Sequence, residues 1–396
     1  LEPMEIAEKY TYRYFRDMDK LRVLRPDISP RATGHIPEQI AMIRTLIQKG
    51  HAYEVDGNVY FDVGSLPDYG KLSGRNLEEA ESGSRIESKS DKKNPSDFAL
   101  WKKADDSHLM KWDSPWGEGF PGWHIECSAM ATKYLGETID IHGGGIENQF
   151  PHHECEIAQC EGAHDHPFVR YWMHNNMVTL NGQKMGKSLG NAISLEQFFD
   201  GSHKLLSRSW TPEVIRFFLL QSHYRSTTDF SEAALASAES GYRNLSGLLQ
   251  LLHKAADDES TPAQSDSFDI ETLKQDFESC MNDDFNTARA IGTLFEQLRP
   301  LKSKLSNHEI PANIKDVAGY VLSVCRDVLA IWEPSEFNAE RSDLPFDQVM
   351  QLLIDLRKEA REKKDWATAD AIRNRLAEAG ITLEDTPDKT IYKTES

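Results

Sequence analysis

The chain has 396 residues, of which 39% are hydrophobic, and a formal net charge of −19; this is more than one core usually organises, so two or three domains are expected. No run approaches the roughly 18 apolar residues needed to span a bilayer, and no basic-then-apolar leader precedes the first helix, so a soluble, cytoplasmic protein is expected. The acidic balance argues against a protein that coats nucleic acid through bulk electrostatics, and five scattered cysteines (Cys127, Cys155, Cys160, Cys280, Cys325) argue against a disulfide framework, leaving reduced thiols and one candidate metal ligand.

Residues 5–23 and 36–50 carry the periodicity of two helices, the second ending at Gly50 as a C-terminal cap would. From His51 to Lys71 the pattern shortens to alternating runs, AYEVDGNVYFDV, with Asp56-Gly57 at the centre of a predicted hairpin. The polar tract from Glu79 to Asp97 reads as a mobile loop. Between Leu100 and Asn191 short strand candidates, TIDIHGG and FVRYWMHNNMVTL, are separated by helical stretches in an α/β pattern. After Ser194 the sequence is helical almost to its end. Polar breaks at Ala256–Asp269 and Glu333–Pro345 set off a second helical region and a small terminal unit. No repeat of fixed period is present, which disfavours a solenoid.

Three constellations carry chemistry. Cys127 lies in GWHIECSAM, and His152, His153 and Glu156 lie in FPHHECEIAQ. Helical phase puts His152 and Glu156, four apart, on one face, where imidazole and carboxylate can meet at one ion while a thiolate arrives from elsewhere; zinc accepts all three. The same residues also suit histidines paired with acids on a helix surface and a cysteine acting as a small buried hydrophobe. In LNGQKMGKSLGN, residues 180–191, Lys184 and Lys187 sit on a loop containing Gly182, Gly186 and Gly190, fit to follow a polyphosphate as charge moves, although such loops are often only solvated basic turns. Gly143, Gly144 and Gly145 after TIDIH read as a tight turn or as a place where backbone approaches a ligand. Near the C-terminus Arg357, Lys358, Arg361, Lys363, Lys364, Arg373 and Arg375 outnumber the interspersed acids and form a candidate local RNA contact, beside Trp366 as a stacking platform.

KMGKSLGN resembles the KMSKS signature of class I aminoacyl-tRNA synthetases, and GWHIECSAM, DIHGGG and FPHHECEIAQ, in this order, resemble the cysteinyl member of that class. The similarity runs from RPDISPRATGHI to KDWATADAIRNRLAEAGITLEDT. It implies an α/β plus all-α architecture: a Rossmann-type nucleotide-binding catalytic domain over residues 1–200, incomplete at its N-terminus and carrying an inserted connective segment at about 50–115, then a helical stem-contact and anticodon-binding bundle over 201–335, and a small anticodon-recognition domain over 342–396. By the same resemblance Cys127, His152 and Glu156 match three of four zinc ligands. Trp123 matches an aromatic residue beside the bound amino acid, and His142 and Glu147 belong to the same substrate site. Lys184 and Lys187 are the implied catalytic, ATP-binding lysines, with Gly186 and Ser188 between and beside them.

The implied substrates and partners are L-cysteine, ATP (with Mg2+) and tRNA(Cys), the implied cofactor is one Zn2+ per chain, and the implied state is a monomer. Attack of the cysteine carboxylate on the α-phosphate gives cysteinyl-adenylate and pyrophosphate, and the cysteinyl group then passes to the terminal ribose of the tRNA. A thiol that binds zinc is separated from the harder hydroxyl of serine, which makes a hydrolytic editing site unnecessary.

Two departures stand out. Gly186 replaces the serine of the signature but leaves both lysines. The HIGH signature, and a zinc-ligating cysteine upstream of it, do not occur; GHIP at Gly34–Pro37 sits in another context. With no initiator Met, a truncated sequence is expected, with an unpaired sheet edge, His153 or a water completing the zinc shell, and weak activity as given. Two rivals remain: a ligase that passes cysteine to an amino sugar (mycothiol-type), disfavoured by the long C-terminal extension, and a non-catalytic zinc and tRNA-binding module, which would form no adenylate.

Overall fold

A capping box between Glu2 and Glu5, with Pro3 in the first turn, starts helix α1 (Pro3–Lys20), and a proline likewise opens α2 (Ile36–Gln48). The computed structural model describes residues 2–75, 91–122, 124–258, 266–333, 346–378, 381–385 and 390–394. They belong to two compact units, Leu1–Val324 and Cys325–Ser396. Helix α2 buries Met42, Ile43 and Leu46 along one stripe and ends before Gly50, whose φ of +82° is the left-handed conformation expected after a helix.

The hairpin is present as β1 (Ala52–Val55) and β2 (Asn58–Phe61), joined by Asp56 and Gly57 at φ +51° and +84°, the two positive φ values of a tight two-residue turn. With β3 (Phe98–Lys103) and β4 (Gly119–Pro121) it forms an antiparallel sheet in the order β1-β2-β3-β4. Phe61, Leu100 and Trp101 of this sheet are fully buried in one core with Ile43, Leu46 and Ile125. Of the polar tract Glu79–Asp97, residues 79–90 lie outside the described set; Asp97 is buried and accepts from Val63 N, Asn94 N and the Tyr53 hydroxyl.

Helix α3 (Ile125–Leu135) leads into β5 (Ile139–Gly145), helix α4 (Glu154–His164) and β6 (Val169–Asn175). Strands β5 and β6 are parallel, so α4 is the crossover of a βαβ unit. The glycine run is not a turn: Gly143, Gly144 and Gly145 are the last residues of β5, paired with Met173, His174 and Asn175. A third sheet has the order β8-β7-β9, from β7 (Val178–Leu180), β8 (Gln183–Lys184) and β9 (Thr228–Phe230).

Helices follow: α5 (Leu195–Asp200), α6 (Pro212–Leu220), α7 (Glu232–Asp257), α8 (Ile270–Asn282), α9 (Thr287–Ser306) and α10 (Ile314–Ser323). Ser194, Thr211, Ser231, Asp269 and Asn286 each cap the helix they precede by accepting a backbone N–H. The second unit holds α11 (Phe346–Glu362), packed on α12 (Trp366–Glu378), and an antiparallel hairpin of β10 (Ile381–Asp385) and β11 (Thr390–Thr394). Arg357 does not belong to a basic surface, because α11 turns it inward and buries it.

One glycine position tests the seam between β3 and the chain leading to α3. A Cβ at Gly122 would lie 1.8 Å from the Ala99 carbonyl oxygen, which is backbone and cannot rotate away. Gly122→Ala therefore lowers the stability of this unit by roughly 1–3 kcal/mol, read as a lower urea midpoint against the unaltered chain.

Candidate active site

Helix α4 is buried on nearly every side, yet it carries Glu154, Glu156 and Gln159 among its apolar residues. Buried carboxylates need partners. Glu154 finds ordinary ones, accepting from Gly70 N at 3.2 Å, Ser73 N at 2.6 Å and the Ser73 hydroxyl at 3.0 Å. Glu156 is surrounded instead by imidazoles and a thiol. His142 on β5 bonds Oε2 through Nε2, and His152, from the kinked turn Gln149–His153 before α4, places Nε2 2.8 Å from Oε1. That second contact is not an aligned hydrogen bond, so Oε1 is buried with an unused lone pair.

Cys127, on the first turns of α3, completes the cluster: its Sγ, a ring nitrogen of His152 and an oxygen of Glu156 all lie within 4.8 Å of one another. A second group of the same kind joins His142, His153 and Glu156. His153 thus sits with His142, not with Cys127. Its Nδ1 is 2.9 Å from Nε2 of His174, and its ring packs at 4.9 Å on Trp172, the residue opposite His142 in the parallel register. Gly144 makes this packing feasible, since a Cβ there would lie 2.7 Å from the His153 ring.

The electrostatics follow from burial and the shared carboxylate. Burial alone would raise the Glu156 carboxyl, but the His142 hydrogen bond and the close imidazoles of His142 and His152 hold it at about 2. The close Glu156 carboxylate pushes His152 up, whereas burial, reinforced by His152, lowers His124 to about 4. The two rings meet edge to face, with Nδ1 of His152 against Nδ1 of His124. Burial, then Glu156, pushes the Cys127 thiol up to about 12. A thiol in this place ionises only when a cation arrives. The set of one thiol, one imidazole and one carboxylate with an unused oxygen fits a zinc-type ion.

Sequence reasoning named ten site residues, and the structure places them unevenly. Cys127, His142, His152 and Glu156 meet as described. Glu147 is exposed on the short turn following β5. Trp123 lies outside the described residues. In the lysine-bearing loop Lys184 is an exposed residue of β8, Gly186 and Ser188 follow it, and Lys187 opens a short helical turn, its side chain lying outside the described set.

Two residues of this loop's support were not named from sequence. Asn191, nearly buried, accepts from Gly186 N at 2.9 Å and donates to the Lys184 carbonyl at 3.2 Å, tying the loop across its base. Asp229 on β9 accepts from the Thr179 hydroxyl at 2.6 Å and from Gly182 N at 2.7 Å, fixing the Asn181-Gly182 turn whose φ values are +50° and +75°. Asn191 closes the legible motif, but Asp229 reaches the loop only through the β7–β9 pairing. His124, at φ +115°, was likewise readable only as the neighbour of Cys127.

With this geometry in place, comparisons agree along the whole chain. The family described as tRNA synthetases class I (C) catalytic domain matches residues 2–240, the DALR domain residues 276–331, and the cysteinyl-tRNA ligase anticodon binding domain residues 346–392. The cysteine–tRNA ligase of Chlorobaculum tepidum is 53% identical over 98% of this chain and 78% of its own length, and that of Deinococcus radiodurans is 49% identical over 99% and 78%. Among solved structures, Mycobacterium tuberculosis methionyl-tRNA synthetase in complex with methionyl-adenylate shares the fold over 77% of this chain and 71% of its own, with a TM-score of 0.55 at 13% identity.

Burial holds both His124 and His153 at about 4, below the 6.5 of a free imidazole. Unfolding lets them take up protons that the fold denies them, so their contribution to stability is complete above about 6.5 and is lost as the pH falls towards 4. Urea midpoints of metal-free protein therefore decline across that window, and His153→Phe, which cannot titrate, makes the decline shallower.

Proposed function

The chain belongs to the cysteinyl-tRNA synthetases and is a cysteine–tRNA ligase, and on that premise we propose that Cys127, His152 and Glu156 hold one zinc ion that selects the substrate thiol. The observation that carries this is the convergence of a thiol and an imidazole on a buried carboxylate with an unused oxygen. When bound, zinc supplies a soft Lewis acid that takes a thiolate in preference to a hydroxyl. The chain's own groups do the rest of the selection. His142 fixes the Glu156 carboxylate through Oε2, and Trp172 fixes His142 by packing on it at 4.8 Å. Trp123, His142 and Glu147 border the amino acid in this reading.

Adenylation needs little covalent help from the protein, because the cysteine carboxylate is itself the nucleophile. What it needs is positive charge where the phosphates develop negative charge. Lys187 takes that role, with Lys184 in support and Gly186 and Ser188 lining the ATP, which enters with Mg2+. Asn191 and Asp229 keep the loop's base in place while its lysines face the nucleotide. Transfer to the tRNA ribose then uses no side-chain nucleophile.

We divide the labour as catalysis over residues 1–200 with its inserted segment near 50–115, stem and anticodon contact over 201–335, and anticodon recognition over 342–396, in a cytoplasmic monomer. No helix among the described residues is long and apolar enough to cross a membrane. An amino-sugar ligase is not favoured, since it has no use for the anticodon-binding domain matched at residues 346–392. A non-catalytic module is not favoured either, given the catalytic-domain match at residues 2–240.

The test is cysteine-dependent exchange of labelled pyrophosphate into ATP, with serine as competitor and zinc measured on each protein. The unaltered enzyme is expected to hold about one zinc per chain and to prefer cysteine. Glu156→Gln is expected to lose both properties; retention of zinc and of cysteine preference would overturn the assignment. Lys187→Ala should keep its zinc while exchange drops by about 10²-fold or more.

A further inference from the structure

Glu156 faces a different imidazole with each oxygen. Oε1 lies toward His152, the companion of Cys127, whereas Oε2 meets Nε2 of His142. The ligand atoms of His142, His153 and Glu156 lie within 4.8 Å of one another, as close as those of Cys127, His152 and Glu156. Selection of cysteine by an ion at Cys127 gives His153 no part. Its surroundings are nevertheless those of a metal ligand. Nδ1 of His153 is 2.9 Å from Nε2 of His174, the kind of outer contact that orients a ligating imidazole, and this leaves Nε2 of His153 for a cation. Trp172 packs on His142 at 4.8 Å and on His153 at 4.9 Å, which fixes the two rings relative to each other. Gly144 leaves free the space beside Nε2 of His153 where a Cβ would stand at 2.9 Å. His153 and Glu156 are buried, but the His142 side chain is 22% exposed and gives an ion a path from solvent.

We propose that His142, His153 and Oε2 of Glu156 bind a second zinc-type ion, so that the Glu156 carboxylate bridges two ions, one on each oxygen. Two imidazoles and a carboxylate are a donor set that zinc accepts, with water in the open position. The ion takes the place of the proton between Nε2 of His142 and Oε2, and that proton passes to solvent. With no thiolate among its ligands, this position is the weaker of the two for zinc and fills second, at metal excess. Once filled, it holds His142 and lowers the affinity for cysteine. That consequence rests on the reading above, in which His142 borders the amino acid; the binding of the ion rests on the donor geometry.

The test adds Co2+ to the full chain carrying its first zinc and follows bound metal by dialysis and by absorption. About one further ion per chain should bind. It should show the visible bands of cobalt on nitrogen and oxygen without the near-ultraviolet band of a cobalt–thiolate bond, because Cys127 belongs to the first ion. His153→Phe, and separately His153→Asn, should lose this uptake while keeping the first zinc, whose retention shows that the fold is intact. Absence of a second ion, uptake that persists in both variants, or a thiolate band from cobalt that has displaced zinc at Cys127 would each overturn the proposal. In pyrophosphate exchange the added Co2+ should raise the KM for cysteine roughly tenfold with kcat held, and His153→Phe should abolish that response. A KM unmoved by the bound ion overturns the inhibitory role. If the zinc-loaded chain shows no cysteine-dependent exchange at all, the ligase reading fails, whereas the cobalt spectrum and its loss in the variants still decide the second ion.

Discussion

A carboxylate without solvent, set in the middle of a buried helix, constrains everything around it. Burying such a charge costs several kcal/mol unless other groups compensate it. Glu156 is compensated by three separate pieces of chain: His142 from β5, His152 from the turn that feeds α4, and Cys127 from α3. Each piece has its own reason to be there, since β5 pairs with β6, the turn begins α4, and α3 packs on both α2 and α4. The contrast with Glu154 is instructive. Two residues away on the same helix, that carboxylate is satisfied by amides and a hydroxyl of residues 70–73, and nothing about it calls for an ion. Burial alone therefore does not set these two acids apart; the kind of partner does.

The support of Glu156 also explains a feature that looks decorative in sequence. A glycine run after a strand suggests a turn, but Gly143–Gly145 stay extended and pair with β6. The rings of His142, His153, Trp172 and His174 crowd that end of the sheet, and only a residue without a Cβ leaves space for His153 beside Gly144. The stack then limits how His142 can turn, and with it the orientation of the Glu156 carboxylate. Backbone composition on one strand is thus coupled to the orientation of a carboxylate on a helix.

Legibility in the sequence followed the range of the interactions. Local signals were readable: the first two helices, the Asp56-Gly57 hairpin, the capped helices after Ser194, and the i to i+4 relation of His152 and Glu156. The metal reading stayed ambiguous from spacing alone, because whether Cys127 approaches His152 depends on how α3 packs against α4. His124 and Asp229 were missed for the same reason, being brought to their partners by tertiary packing and strand pairing. Arg357 was misplaced among surface cations because composition does not tell which side of α11 faces in, and the helix buries that side. Family resemblance implied a catalytic domain followed by anticodon-binding units, the order in which the family models match.

Net charge sets the last constraint. An enzyme at −19 repels RNA at long range, so affinity must come from few, placed contacts, and those contacts discriminate because there is no uniform attraction to mask them. Cations without acid partners are the ones to consult. Arg208, Arg225, Lys133 and Lys71 are each spent on a carboxylate within the fold, and their charges do little outside it. Lys184, Lys102 and Lys103 have no such partner among the described residues. The first lies on β8, at the start of the lysine-bearing loop, and the other two lie at the end of β3 in the lining of its aromatic cavity. In an acidic chain, lysines left uncompensated by the fold keep their charge available to anions that arrive from solvent.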